Sequence, residues 1–440
     1  MAHIFVARET VEGERRVAAT PETVAKLVKA GHAVTVQKGA GEGSRIADHT
    51  FQEAGASLAS ASGAGKADIV LRVRRPSVRE AKALGKGAAV VAIMDPFPGG
   101  EGDPAPDIAA LRDAGVAAFA LDLAPRTTRA QVLDVLSSQA NLAGYQAVVD
   151  ASAAFDRALP LMMTAAGTVP AAKVFVMGAG VAGLQAIATA RRLGAVVTAT
   201  DVRAAAGEQV ESLGAKFVMT DALKDASGSG GYARELTAEE TAAQNDLVAG
   251  HIARQDIVVT TALIPGRPAP RLVTKAMLAS MKPGSVVVDL AIERGGNVEG
   301  ASEGESVVEG VTVIAHRNVP SRLSASASNL YARNVEAFVR LIVGEDGALK
   351  IDTDDDIVAA TLVTRDGAVV NERVAETLPA GTATGKPAAG KPAAGKTAAK
   401  KPAAKRAPAK KPAATKPAAK KPAARKSAAK KPAAPRKEPN

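Results

Sequence analysis

The chain has 440 residues, enough for two or three domains, with a 2% aromatic fraction, no Trp and no Cys. Its core must be built from Val, Leu, Ile and Ala, which suits buried parallel strands under small-residue helices; disulfides, Cys-ligated zinc, iron–sulfur clusters and a thiol nucleophile are excluded. The net charge of +11 divides unevenly: residues from Lys386 onward hold 18 Lys/Arg and one acid, Glu438, which leaves residues 1–385 at −6.

The chain opens on a strand-like run at 4–7 without a basic-then-apolar leader pattern, and a cytoplasmic protein is expected. Further strands read at 33–36, 69–73, 89–94 and 117–121. Between the first two lies a helix with clear punctuation: Thr20 to cap it, Pro21 in its first turn, Glu22 beside its positive end and Gly31 to stop it. A long helical pattern covers 128–154. The apolar stretch 158–172 is broken by Pro160, Gly167 and Pro170 and is too short to cross a bilayer. Strands then read at 174–177, 195–199, 216–219, 256–261, 285–290 and 311–315, with a polar excursion at 221–246 whose length fits a lid or a plain surface loop. A second long helical run, 326–343, precedes an acidic stretch and strand-like segments at 359–364 and 368–370, expected to return to the first lobe.

Alternating βα units argue for an α/β protein with two Rossmann-like, doubly wound parallel-sheet lobes joined by long helices. The expected organisation is a first lobe from 1–127 and 329–372, a second lobe from 128–328 led by the long helix, and a tail at 373–440. From near Gly385 the tail repeats with a five-residue period, KPAAG, KPAAG, KTAAK, KPAAK. The repeat from Gly385 onward has no bulky apolar residue and is expected to be disordered. Its charge suits anionic lipid headgroups or non-specific nucleic-acid contact, and equally a solubilising spacer. No aromatics interleave the charges for base stacking.

The most informative stretch is KVFVMGAGVAGLQAIATARRLGAVVTATDVR, residues 173–203. An apolar run feeds into Gly178-Ala179-Gly180-Val181-Ala182-Gly183, an Ala-rich helical run follows, and a second apolar run ends at Asp201. This is strand, glycine turn, helix, strand and acid, the order a dinucleotide site requires. Gly178 permits the turn, Gly180 lets backbone approach a pyrophosphate, Gly183 lets helix and strand pack closely, and the helix N-terminus offers free N–H groups. Asp201 suits the ribose hydroxyls and repels a 2′-phosphate, so NAD is preferred over NADP, although Arg203 nearby is of the type that accommodates the 2′-phosphate.

Pro125 to Asn141 is unusually polar for a linking helix. Gln131, Asp134 and Ser138 fall at i, i+3 and i+7, with Ser137 one step round and Arg126 just before the helix. These groups suit the orientation of an amide-bearing ring such as nicotinamide; a solvated helix face reads the same way from spacing alone. Tyr232, between Gly231 and Ala233 in the polar excursion, is placed to close over a ligand or to lie on a featureless loop. The five histidines show no metal-ligand spacing, and Asp352-Thr353-Asp354-Asp355-Asp356 lacks the glycine and terminal Glu of an EF-hand loop.

Residues 129–148 (RAQVLDVLSSQANLAGYQAV), 162–195, 199–205, 260–270 (TTALIPGRPAP), 281–297 (MKPGSVVVDLAIERGGN) and 318–328 (NVPSRLSASAS) together resemble the NAD(H)-binding α subunit of the proton-translocating NAD(P) transhydrogenase family. The resemblance runs from about residue 1 to 372 and leaves out the basic tail. It implies that Arg126, Gln131, Asp134 and Ser137 place the nicotinamide. It implies nucleotide contact by Gly178, Ala179, Gly180, Val181, Ala182, Gly183, Asp201, Val202, Arg203, Ala262 and Leu263, with Tyr232 on a mobile loop. It further implies hydride transfer from NADH on this chain to NADP⁺ on a separate β subunit, coupled to proton movement through a membrane-spanning subunit. A homodimer, peripheral on the inner face of the plasma membrane, is the implied assembly. Alanine dehydrogenase shares the fold, and Arg16 fits either enzyme. The Lys and His which that family uses are missing from the corresponding segments here, Leu71–Pro76 and Ala92–Pro96.

Overall fold

Runs of Val, Ile and Ala form strands buried on both faces, as parallel strands covered by helices must be. In this computed structural model the described residues are 1–100, 102–221, 237–263 and 266–379. They build two α/β lobes, each around a mostly parallel sheet. The first sheet has eight strands, ordered Ala368–Val369, Leu362–Arg365, Ala117–Ala120, Ala89–Ile93, Ile69–Arg74, His3–Val6, Ala33–Gln37 and Ser57–Ala59. The second has seven, ordered Lys216–Phe217, Val196–Thr200, Lys173–Met177, Ile257–Thr260, Val286–Asp289, Val311–Ala315 and Gly304–Val308. Antiparallel pairing within these two sheets is confined to Leu362–Arg365, Ala368–Val369 and Gly304–Val308 at the sheet edges.

Two long helices join the lobes. Val135–Ala154 buries Val135 in the first-lobe core and Ala147, Val148 and Ala151 against the second sheet. Ser324–Val339 returns to the first lobe with Tyr331, Val335 and Phe338 buried, Phe338 meeting Phe119 edge-on at 5.2 Å. The Tyr331 hydroxyl donates to the carbonyl of Arg72 at 2.7 Å, which satisfies its one polar atom in an apolar site.

Several elements differ from the sequence reading, each for a local reason. The helix expected from 128 begins at Val135, because Asp134 turns its carboxylate onto Ser137 N and caps it; Gln131–Leu133 is a single 3₁₀ turn. Residues 238–246, read as loop, belong to the helix Ala238–Ile252, opened by a capping box of Thr237 and Glu240. The strand expected at 359–364 begins at Leu362, since Asp355 caps a helix over Asp356–Thr361. The apolar stretch around 158–172 forms a small exposed hairpin, Met162–Thr164 with Gly167–Val169. Among the described residues no helix is long and apolar enough to cross a membrane.

Gly144 carries the closest packing between Val135–Ala154 and Val181–Arg192. A Cβ there would overlap the backbone carbonyl of Ala182. Helix propensity alone favours Gly→Ala by about 1 kcal/mol. Overlap with backbone costs about 1–3 kcal/mol and wins. Gly144→Ala should therefore destabilise the protein, seen as a lower denaturant midpoint; an unchanged or higher midpoint would show that the helices separate freely.

Candidate active site

The second sheet reverses its strand order between Lys173–Met177 and Ile257–Thr260, and the crevice beyond the carboxyl ends of strands at such a point is where open α/β sheets bind ligands. Gly178 leaves the first of these strands at φ +105°, a region L side chains avoid. A Cβ on Gly183 would overlap the carbonyl oxygen of Gly178, so the helix Val181–Arg192 sits as close to the turn as backbone allows. The position a Cβ would take on Gly180 meets nothing within 4 Å. Open space at Gly180, beside the unbonded N–H groups of a twelve-residue helix, fits the two phosphates of a dinucleotide. Val181 is exposed, Ala182 is half-buried and Ala179 is buried, its N–H donating to Asp201 at 2.7 Å.

Asp201 follows the strand Val196–Thr200. Burial pushes its carboxyl up, but the bonds from Arg203 and Ala179 outweigh that and hold it below its ordinary value. Val202 is exposed. Across the crevice, Thr261 donates to the carbonyl of Gly178 at 3.2 Å, and Ala262 and Leu263 continue its segment. The wholly buried Asn297 clasps that segment: it accepts from Ala262 N at 3.1 Å and donates to the carbonyls of Ala262 at 2.9 Å and Pro270 at 2.8 Å. Buried Asp289 accepts from Ala291 N and Val298 N, and burial raises its pKa. Sequence reasoning singled out neither Asn297 nor Asp289; their signal was two polar residues in otherwise apolar, glycine-marked context at a strand end.

The polar segment leads into the helix that packs on the glycine-turn helix. Gly144 touches Ala182 at the head of the glycine-turn helix, and at 1.5 Å per residue Ser137 lies about 10 Å further along its own helix. That separation suits a nucleotide whose phosphates lie at the glycine turn and whose ring lies at Ser137. Asp134 Oδ1 accepts from Ser137 N at 2.8 Å and Oδ2 accepts from Ser137 Oγ at 2.5 Å. Arg126 and Gln131 are exposed, with no side-chain hydrogen bond among the described residues. Ser138, expected to share a face with Gln131 and Asp134, instead donates to Asn334 Oδ1 at 2.8 Å, while Asn334 Nδ2 holds the carbonyl of Val132 at 2.7 Å. Arg129 pins the same turn outward onto Asp355, at 2.5 Å, and Asp356. The acidic turn is thus a helix cap and an ion-pair partner. Tyr232 lies outside the described residues.

A buried charge cluster of the first lobe reaches the second through neutral amides, and one ion pair joins the two directly. The fully buried Glu14 carboxylate accepts from Arg16 Nε and Nη2 at 2.8 and 2.6 Å, from Arg74 Nε at 3.0 Å and from Asn318 Nδ2 at 3.0 Å. Arg16 also donates to Gln139 at 2.9 Å. Arg72 pairs with Glu80 at 2.8 Å and Glu9 at 3.5 Å, and Asp95 pairs with Arg294 of the other lobe. Among the described residues no group of three or more His, Asp or Glu is arranged to hold a metal ion.

Known proteins bear on this geometry. The family "Alanine dehydrogenase/PNT, N-terminal domain" matches residues 5–143, and "Alanine dehydrogenase/PNT, C-terminal domain" matches residues 147–372. The chain is 48% identical over 379 residues to an NAD(P) transhydrogenase subunit alpha of Rhodospirillum rubrum, covering 84% of this chain and 97% of that one. The crystal structure of transhydrogenase from Sinorhizobium meliloti superposes with a TM-score of 0.77 at 56% identity, covering 84% of this chain and all of that one. Alanine dehydrogenase of Bacillus subtilis is 30% identical over 387 residues, covering 85% of this chain and 94% of that one. With both domains matched in order, and the higher identities falling on transhydrogenases, the chain belongs to the alanine dehydrogenase/PNT family and aligns within it with the transhydrogenase α subunits.

Proposed function

We propose that this chain is the NAD(H)-binding component of a proton-translocating transhydrogenase, passing hydride from NADH to NADP⁺ held by a β subunit. The observation that supports this reading is the glycine turn at the reversal of strand order, with open space at Gly180, close backbone approach at Gly183 and Asp201 accepting from Ala179 N. Gly178–Gly183 and the helix start would hold the phosphates, Asp201 the adenosine ribose, Ala262 and Leu263 the flank, and Arg126, Gln131, Asp134 and Ser137 the nicotinamide. Bound there, the reduced nicotinamide supplies the hydride.

What remains for the protein is positioning and water exclusion, since hydride passing between two such rings calls for no general acid or base. That matches the charges beneath the crevice. An amino-acid oxidoreductase needs a group to handle amine and imine protons. Here Arg72 and Arg74 are both engaged by buried acids, and Asp95 is engaged by Arg294. Coupling to proton movement, through a membrane-spanning subunit, and a homodimer on the inner face of the plasma membrane complete the proposal. The basic tail, outside the described residues, is proposed only as a site of non-specific contact with anionic lipid or nucleic acid.

The test is a titration of the purified chain with NADH and NADPH by nucleotide fluorescence, followed by addition of an NADP-binding transhydrogenase subunit and an NAD analogue. NADH should bind selectively and hydride exchange should need the partner. Turnover of pyruvate and ammonia without a partner would make the chain an alanine dehydrogenase instead. Asp201→Ala should weaken NADH binding about ten- to a hundredfold, in line with losing charge-assisted hydrogen bonds of about 1.5–3 kcal/mol, and narrow the preference over NADPH. If the preference survives, Asp201 is not the discriminating group.

A further inference from the structure

We propose that Arg203 is a built-in competitor for Asp201, and that it sets how strongly the chain prefers NADH over NADPH. The inference rests on the reading of Asp201 as the ribose acid. A carboxylate offers about four acceptor positions. At Asp201 all four are taken: Oδ1 accepts from Arg203 N at 2.8 Å and Arg203 Nε at 2.9 Å, and Oδ2 accepts from Ala179 N at 2.7 Å and Arg203 Nη2 at 3.0 Å. The Asp201 side chain is only 7% exposed, so no further acceptor direction opens to solvent. A ribose brings two hydroxyl donors and needs two of these positions.

Two of the four donors are backbone N–H groups fixed by the turn and cannot leave. The guanidinium can. Its side chain is 54% exposed, so it swings into water with little loss of packing. Ribose binding and the Arg203 fork are therefore mutually exclusive at the same two oxygens. Once displaced, the guanidinium remains a cation beside the place a 2′-phosphate would occupy. There it offsets the repulsion that Asp201 exerts on that phosphate. Arg203 thus acts twice in one direction: it weakens NADH by competition and softens the refusal of NADPH by attraction. Lysine would keep the second effect and lose most of the first, because an ammonium is a point charge without the planar fork.

The experiment titrates the full chain, wild type and the variants Arg203→Ala, Arg203→Lys and Asp201→Ala, with NADH and with NADPH at low and at moderate ionic strength. The arginine end of the pair is open to water, which weakens it, so the expected change is modest: Arg203→Ala tightens NADH about two- to five-fold. It weakens NADPH by a similar factor, so the preference widens about tenfold. Arg203→Lys tightens NADH less and leaves NADPH near wild type. The gap between wild type and Arg203→Ala narrows as salt screens the pair. Weaker NADH binding by Arg203→Ala would overturn the proposal and make Arg203 a direct nucleotide contact; unchanged constants for both nucleotides would overturn it as well. Failure of wild type to bind NADH at all would instead remove the underlying assignment of the site. Wild-type binding that Asp201→Ala weakens, combined with no tightening by Arg203→Ala, isolates the fault in the present inference.

Discussion

Asp134→Asn slows hydride transfer to the NADP-binding partner about 10²-fold while NADH affinity stays within a few-fold of wild type. The split follows from where the contacts lie. On the proposed assignment, affinity rests on the glycine turn and Asp201, which the substitution does not touch. Asparagine is as good a helix N-cap as aspartate, so Ser137 N keeps an acceptor and the helix Val135–Ala154 keeps its start. What changes is the second oxygen. Ser137 Oγ now donates to Asp134 Oδ2 at 2.5 Å. An amide nitrogen there forces the hydroxyl to accept instead, reversing its proton and rotating the side chain that is proposed to align the ring. Misplacement by about 1 Å of a reacting ring costs about 10²-fold, or about 2.7 kcal/mol of barrier. Single-turnover exchange paired with fluorescence titration separates the two constants. Equal rates in Asp134→Asn and wild type would remove Asp134 from ring placement, as would a loss that lies wholly in NADH affinity.

Glu14→Gln destabilises the protein by about 3–5 kcal/mol, the range found when one partner of a buried ion pair is removed. The neutral amide leaves Arg16, with a side chain 2% exposed, without its counter-charge, and its NH2 faces existing donors whichever way it turns, Arg16 Nε at the Oε1 position or Arg74 and Asn318 at the Oε2 position. The pH profile gives the test a sign. Burial alone would raise the Glu14 pKa; the bond and charge of Arg16 and the charge of Arg74 outweigh it and bring the carboxyl to about 2, from an ordinary 4.5. A depressed carboxyl contributes fully above its unfolded value, and the contribution is withdrawn as pH falls from 4.5 toward about 2. Wild type should therefore lose stability across that window while Glu14→Gln, already without the pair, is flatter there. Denaturant midpoints at neutral and acid pH measure both. A variant as stable as wild type at neutral pH would mean that Arg16 and Arg74 find other partners.

Strand positions were legible because buried parallel strands are apolar runs with no ambiguity of face: 33–36, 89–94 and 311–315 each lie within a residue of the observed bounds. The glycine turn and Asp201 were legible because their spacing is itself a geometric constraint. Helix starts were less so. Asp134 reads as a helical position by periodicity and acts as a cap by its side chain, and Thr237 with Glu240 opens a helix inside a polar stretch. Charge partners were not legible at all. Nothing in the order of residues says that Glu14 will meet Asn318 or that Arg129 will meet Asp355, since these partners stand 304 and 226 residues apart and meet only through the tertiary fold.

The first sheet takes its last two strands, Leu362–Arg365 and Ala368–Val369, from a stretch of the chain made about 240 residues after Ala117–Ala120. At a ribosomal rate of about 5–20 residues per second, that delay is roughly 10–50 s. Throughout it, the nascent first lobe presents the bare backbone of Ala117–Ala120 as an unpaired edge, the kind of edge that recruits foreign strands. The second lobe, whose strands all fall between 173 and 315, can finish first. The segment with the earliest codons is thus among the last to close, and its edge stays open to foreign strands for as long as the rest of the chain is being made.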